Sequence, residues 1–244
     1  MQAPLYLVDF DGVICDSRFE CMVTSHVAHR RLFSARNMPF DASVIAPDAA
    51  EQFIHYRYLA RTAREFALLW DLIDTRTEIN DEQWIRTRAH ADEARLLQFH
   101  DAFYATRYQW MEMDMAGWLK IHQLYPGLKN NLVKWLAQDR AHIVSSKDSR
   151  SILALLRHHD IDLPESLVGG CEGGDKNEHF RRLRETAGRD MAFIDDNLEN
   201  LITARENGIT GYLASWGYTS ADIVDAARLE GFSILTLPTV EQLI

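Results

Sequence analysis

The chain opens on a short, unbroken apolar run. Leu5-Tyr6-Leu7-Val8 stops at Asp9-Phe10-Asp11-Gly12-Val13. A brief apolar run bounded by charge and Gly predicts a strand buried on both faces. The period then changes. Between Asp48 and Ile73, the residues Phe53, Tyr56, Leu59, Ala63, Phe66, Trp70 and Ile73 recur at three- and four-residue steps. That spacing predicts one face of an amphipathic helix. Asn80, with Gln83 three residues on, predicts another helix start before Trp84-Ile85. The pattern continues through Leu96, Leu97, Phe103 and Trp110 toward Gly117, over more than one helix. Pro47 and the stretch 36–39 mark breaks, and no strand pattern lies between 18 and 122.

From Leu124 onward apolar runs alternate with helical patterns. Tyr125-Pro126-Gly127 predicts a turn. Helices are predicted over 128–136, 149–158, 178–187 and 198–207, the last stopped by Gly208. Strands are predicted over 141–144, 167–168, 191–194 and 211–214. Strands alternating with helices of this length predict parallel βαβ units. The predicted fold is therefore α/β, a doubly wound parallel-sheet (Rossmann-like) core formed by 1–17 and 123–244. An all-α insertion over 18–122 separates the first strand from the rest.

Composition adds exclusions. Of 244 residues, 47% are hydrophobic and 25% charged, with a formal net charge of −10. That balance argues against a nucleic-acid polymer or an anionic membrane surface as partner, and leaves small phosphorylated substrates open. Cys15, Cys21 and Cys171 are too few, and wrongly spaced, for a disulfide framework or a thiolate metal site. No signal peptide is read at the N-terminus, and no apolar stretch approaches about 18 residues. The expectation is a cytoplasmic protein. Oligomeric state, monomer or homodimer, is not readable.

In open parallel sheets, ligands bind at the carboxyl ends of the strands. The residues there are Asp9 and Asp11 after the first strand, then Ser145, Ser146, Lys147 and Asp148 after the second. Glu172, Asp175 and Lys176 follow the third, and Asp195, Asp196 and Asn197 the fourth. Residues i and i+2 on an extended chain point the same way, so Asp9 and Asp11 are expected to share a site. These groups suit one chemistry: phosphoryl transfer with a divalent metal. A hard cation such as Mg²⁺ needs few carboxylates, neutralises charge and positions phosphoryl oxygens. A hydroxyl, a lysine and amides at a helix start hold the remaining oxygens.

Asp9-Phe10-Asp11-Gly12-Val13 resembles the nucleophile motif of the haloacid dehalogenase superfamily. Ser145 resembles its hydroxyl motif, Lys176 its lysine motif, and Asp195-Asp196-x-x-x-Asn200 its acidic motif, in that order along nearly the whole chain. Ser215-Trp216-Gly217-Tyr218 resembles the phosphoglycolate-phosphatase-like branch, and the insertion falls where that branch carries its helical cap. The resemblance implies a Mg²⁺-dependent phosphatase of a small phosphorylated metabolite, acting through an aspartyl-phosphate. It implies Asp9 as nucleophile and Asp11 as acid and base. It implies Mg²⁺ on Asp9, on Asp11 through its backbone carbonyl, and on Asp196. Phosphate falls to Ser145, Ser146, Lys176 and Gly12, with Asp195 and Asn200 supporting from behind. The sequence departs from the pattern at Asp195, where Gly is frequent, at Asn200, where Asp is frequent, and over 171–177, which lacks a proline-flanked pattern.

Two alternatives stay open. A phosphomutase uses the same motifs, and a non-catalytic phosphate-binding protein keeps the fold. A dehalogenase does not need Asp11, and a Schiff-base hydrolase needs a lysine in the insertion, where only Lys120 stands at the far end. His26-x-x-His29 has no partner at metal-ligand spacing and is read as a surface or core pair. The run 99–118 is read as packing. The twelve arginines between Arg18 and Arg107 are read mostly as helix-face pairs with Glu and Asp, one or two of them facing a second anionic group of the substrate.

Overall fold

The protein is described from a computed structural model over residues 3–170, 176–240, 242 and 243. The chain divides into two compact units, Met1–Asp16 with Gln123–Ile244, and Ser17–His122. β1, Leu5–Val8, opens the first unit and is wholly buried. Cys15–Asp16 pairs antiparallel with Gln123–Leu124, so the chain leaves and re-enters this unit at adjacent points.

The second unit is helical: α1 (Arg18–Ser34), α2 (Pro47–Tyr56), α3 (Phe66–Asp74), α4 (Asp81–Ala89), α5 (Glu93–Met113) and α6 (Met115–Lys120). The single helical face expected from Asp48 to Ile73 is in fact two helices. Between them lie 3₁₀ turns at Arg57–Leu59 and Ala63–Glu65. Local bonds impose the break. The Arg57 guanidinium donates to the Ala60 carbonyl. The Glu65 carboxylate accepts from the amides of Arg61 (2.6 Å) and Thr62 (3.1 Å), a capping box that starts a new helix. The periodicity survives because both helices face one core, where Phe53 stacks on Trp70 at 5.0 Å and tilts on Phe66 at 5.5 Å. The pattern from Asn80 to Gly117 resolves into three helices for the same kind of reason. Asn80, Asp92 and Asp114 each accept an amide of the turn that follows, from Gln83, Ala94 and Gly117, all at 2.9 Å.

The chain then alternates: α7 (Leu128–Ala137), β2 (Ala141–Ser145), α8 (Ser149–His158), β3 (Val168–Gly170), α9 (Lys176–Ala187), β4 (Met191–Asp195), α10 (Leu198–Glu206), β5 (Thr210–Ala214), α11 (Ala221–Leu229) and β6 (Ser233–Leu235). Strand order is β3-β2-β1-β4-β5-β6, all parallel. This is the doubly wound order, with a switch point between β1 and β4. The sequence pattern left α11 and β6 unread. β6 has three residues and leaves Ser233 exposed, as an edge strand does, so it shows no buried run. Leu5, Leu7, Phe180, Phe193, Leu201 and Leu213 belong to the core packed against the sheet.

Candidate active site

The site lies where the switch point predicts, beyond the carboxyl ends of β1, β2 and β4. β1 delivers Asp9. The ladder with β4 runs one residue past the strand, the Asp9 amide donating to the Ile194 carbonyl at 3.0 Å. The chain then turns rather than staying extended. Ile14 and Cys15 both donate to the Phe10 carbonyl (2.9 Å), and Gly12 takes φ +86°. A tight loop, not i and i+2 strand alternation, therefore holds Asp9 and Asp11. Trp216 and Tyr218 brace it, with the Trp216 indole donating to the Val13 carbonyl (3.0 Å) and the Tyr218 hydroxyl to that of Cys15 (3.4 Å).

Gly12 has a use beyond its backbone angle. A Cβ there would stand 2.0 Å from Asp196 Oδ2, and one on Gly217 would stand 2.4 Å from Asp196 Cβ. Both glycines make room for Asp196, whose Oδ2 accepts the Tyr218 amide. The Gly12 amide itself donates to the Cys15 carbonyl at 2.9 Å, so it is spent on closing the loop and not on holding phosphate.

Lys176, the first residue of α9, is buried and joins two strands. Its Nζ lies 2.7 Å from Asp195 Oδ2 and 3.1 Å from Asp9 Oδ1. Burial works against its charge, but the Asp195 and Asp9 carboxylates outweigh that and raise its pKa. Asp195 is fully enclosed, and it also accepts from Asn200 Nδ2 (3.0 Å) and the Asn197 amide (2.7 Å). Asn200, where the family pattern often has Asp, is thus the neutral donor that an already paired carboxylate needs. Asp9 is 7% exposed. Burial pushes its carboxyl up to about 6, with the Lys176 ammonium opposing that shift.

Ser145 ends β2 and is 1% exposed, close enough to hydrogen-bond the Asp9 carboxylate. Its Oγ also accepts the Lys147 amide at 3.3 Å. Ser146, half-buried, follows it. The start of α8 is capped by Asp148, whose carboxylate accepts the Ser151 amide at 2.8 Å. One buried lysine at the site carries no motif of its own in the sequence. Lys147, its side chain without exposed surface, lies 3.3 Å from Asp11 Oδ1 and 3.4 Å from Oδ2. The signal was a lysine immediately behind the hydroxyls at a strand end. Cys171, Glu172 and Asp175 lie outside the described residues.

The donor set fits a hard divalent cation. Among the described residues, Asp9, Asp195 and Asp196 each offer a carboxylate oxygen within 4.8 Å of the others, all buried. Asp9 Oδ1 is buried and accepts no aligned hydrogen bond. No helix among the described residues is long and apolar enough to cross a membrane. His26 and His29, expected on the surface or in a core, are both buried.

The family model of the haloacid dehalogenase-like hydrolases matches residues 4–208. No curated protein matches the sequence. Solved structures share the fold at low identity. A predicted phosphoglycolate phosphatase from Haemophilus somnus aligns at 15% identity over 100% of this chain and 98% of its own, with a TM-score of 0.64. A haloacid dehalogenase-like family protein from Streptococcus pneumoniae aligns at 15% over 96% and 93%, TM-score 0.56. A predicted phosphatase from Clostridium acetobutylicum aligns at 14% over 99% and 98%, TM-score 0.59.

Proposed function

This chain belongs to the haloacid dehalogenase-like hydrolases, and we propose that within that family it is a Mg²⁺-dependent phosphatase of a small phosphorylated metabolite. The observation that carries the reading is the buried constellation of Asp9, Lys176, Asp195 and Asp196 at the sheet's switch point, with Ser145 beside Asp9 and Asp11 paired with Lys147. Asp9, the Asp11 backbone carbonyl and Asp196 would hold the cation. When bound, Mg²⁺ neutralises phosphoryl charge and orients the phosphoryl oxygens.

In this mechanism an Asp9 carboxylate oxygen attacks phosphorus in line with the ester oxygen. The phosphorus–ester bond breaks as Asp11 gives its proton to the departing alkoxide. Asp9 then carries the phosphoryl group as an acyl phosphate. Asp11, now ionised, takes a proton from water as that water attacks phosphorus, and inorganic phosphate leaves with Asp9 restored. Lys176 and the Ser145 and Ser146 hydroxyls hold the equatorial oxygens, where charge sits in the transition state. Asp195 and Asn200 fix the Lys176 ammonium. By family resemblance the helical unit would serve as the cap that selects the leaving group.

The test is phosphate release from a panel of phosphomonoesters, including phosphoglycolate, sugar phosphates and nucleotides, with Mg²⁺ and with chelator. Release that needs Mg²⁺ supports the reading. A folded protein that releases phosphate from none of them overturns it.

A further inference from the structure

The arginines of the helical unit are almost all spent on protein partners. Arg30 pairs with Asp74, Arg64 with Glu93, Arg86 with Glu82, Arg88 with Glu65, Arg95 with Asp71 and Arg107 with Glu20. Arg31 donates to Gln109 and Arg57 to the Ala60 carbonyl, and Arg18 and Arg61 also have partners. Two remain. The exposed side chains of Arg36 and Arg76 make no hydrogen bond or ion pair among the described residues. Both line the same cavity, of about 430 Å³, together with His26, Arg30, Asp48 and Trp70. Each stands at a left-handed helix exit, Arg76 at φ +53° after α3 and Arg36 directly after Ala35 (φ +50°) at the end of α1.

Donors stand on the rest of the wall as well. His26 is 5% exposed. Arg30 Nε donates to His26 Nε2 at 3.2 Å, so Nε2 carries the lone pair and Nδ1 carries the hydrogen. That Nδ1 is buried without a partner. Burial, reinforced by Arg30, holds the ring's pKa near 4, so it is a neutral donor at physiological pH. α2 contributes its N-terminus through Ala46, Asp48 and Ala49, with no side chain capping it. Pro47 has no amide hydrogen, so Asp48 and Ala49 present the first amides of a positive helix end. On the acidic side, Asp74 is closed by Arg30 at 2.5 and 2.6 Å, which leaves Asp48 against two guanidinium groups.

We propose that this cavity, between the C-terminal ends of α1 and α3 and the start of α2, binds a small oxyanion, a phosphate or a carboxylate group, independently of the site on the sheet. Arg36 and Arg76 supply the charge. His26 Nδ1 and the α2 amides supply directed donors. Met38 and Val44, which also line the cavity and keep exposed surface, give the ligand's apolar part a place to lie.

The experiment uses the full-length protein, following the Trp70 indole N–H by NMR during titration with inorganic phosphate, with acetate, and with chloride at matched ionic strength. A saturable shift with phosphate is expected. It should weaken at least about tenfold in Arg36→Gln/Arg76→Gln, since charge-assisted bonds to both guanidinium groups are lost. Both residues are exposed, and an otherwise unchanged amide spectrum shows that the variant is folded. A response to phosphate alone assigns the site to phosphate esters, and a response to acetate as well extends it to carboxylates. The proposal is overturned by no saturable shift, by chloride acting as strongly as phosphate, or by unchanged affinity in the double variant.

Discussion

Lys147 grips both oxygens of Asp11, at 3.3 and 3.4 Å, from a side chain with no exposed surface. The same turn carries Ser145, whose Oγ accepts the Lys147 amide. One short segment after β2 thus presents a hydroxyl to Asp9 and a cation to Asp11. Lys147→Met keeps the length and removes the charge that holds both Asp11 oxygens. Turnover of the preferred phosphomonoester should fall about 100-fold, the low end of an acid–base contribution. Adding Asp11→Asn should then cost far less than it does alone, because both changes remove one arrangement. Fully multiplicative losses would show that Lys147 acts elsewhere.

Asp9→Asn should abolish turnover and leave the fold standing, since the change is nearly isosteric. Its effect on stability is more revealing. Asp9's carboxyl is pushed up to about 6 by burial, from 3.8. The folded state therefore prefers the protonated form, and its contribution to stability declines as pH rises from about 4 through 6. At pH 7 with chelator present, Asp9→Asn should be more stable than the wild type by on the order of 1 kcal/mol in urea unfolding. A less stable variant would mean that the Lys176 pair outweighs the burial cost.

What the sequence made legible divides along one physical line. Asp9, Asp11, Ser145 and Asp196 were legible as candidates because each stands at or just past the end of an apolar run, and buried parallel strands announce themselves locally; Lys176 begins α9, beyond the end of β3, and its resemblance to a family motif marked it. The break between Tyr56 and Phe66 could not be seen, because both helices keep one hydrophobic phase against a common core. The cues were the polar Arg61-Thr62 pair and Glu65, which only the capping geometry makes decisive. Lys147 was visible as a residue but not as a partner of Asp11, because that contact joins two strand ends 136 positions apart. The expectation that the arginines mostly pair along helix faces holds for Arg86 with Glu82, whereas Arg30, Arg95 and Arg107 reach other helices.

Acid should weaken the first unit through His142. Burial, with His179 and Arg182 nearby, lowers its pKa from 6.5 to about 4. A histidine depressed in the fold contributes stability that is fully present above 6.5 and is lost as pH falls toward 4, because the unfolded chain takes up the proton first. Between pH 7 and 5 the wild type should lose roughly 1–2 kcal/mol from this residue, and His142→Gln should flatten that part of the profile. Identical slopes in the two proteins would remove His142 as the cause.

Glu20 and Arg107 make a fully enclosed ion pair in the helical unit. Arg107 Nε lies 2.9 Å from Glu20 Oε1 and Nη2 2.9 Å from Oε2, with side chains 3% and 0% exposed. Thr24 Oγ1 adds a bond to Oε1 at 2.8 Å, and the Arg107 guanidinium lies 4.6 Å from the Phe103 ring centroid. A pair this dry gains little over a hydrophobic filling of the same volume, but half of it is costly. Arg107→Met alone should destabilise by about 3–5 kcal/mol, because the buried Glu20 loses its guanidinium partner. Glu20→Gln in that background should recover at least half of the loss, since a neutral amide can still accept from Thr24. Urea unfolding of the two single variants and the double variant measures this directly. Additive losses would mean that the two charges stabilise through packing and not through each other.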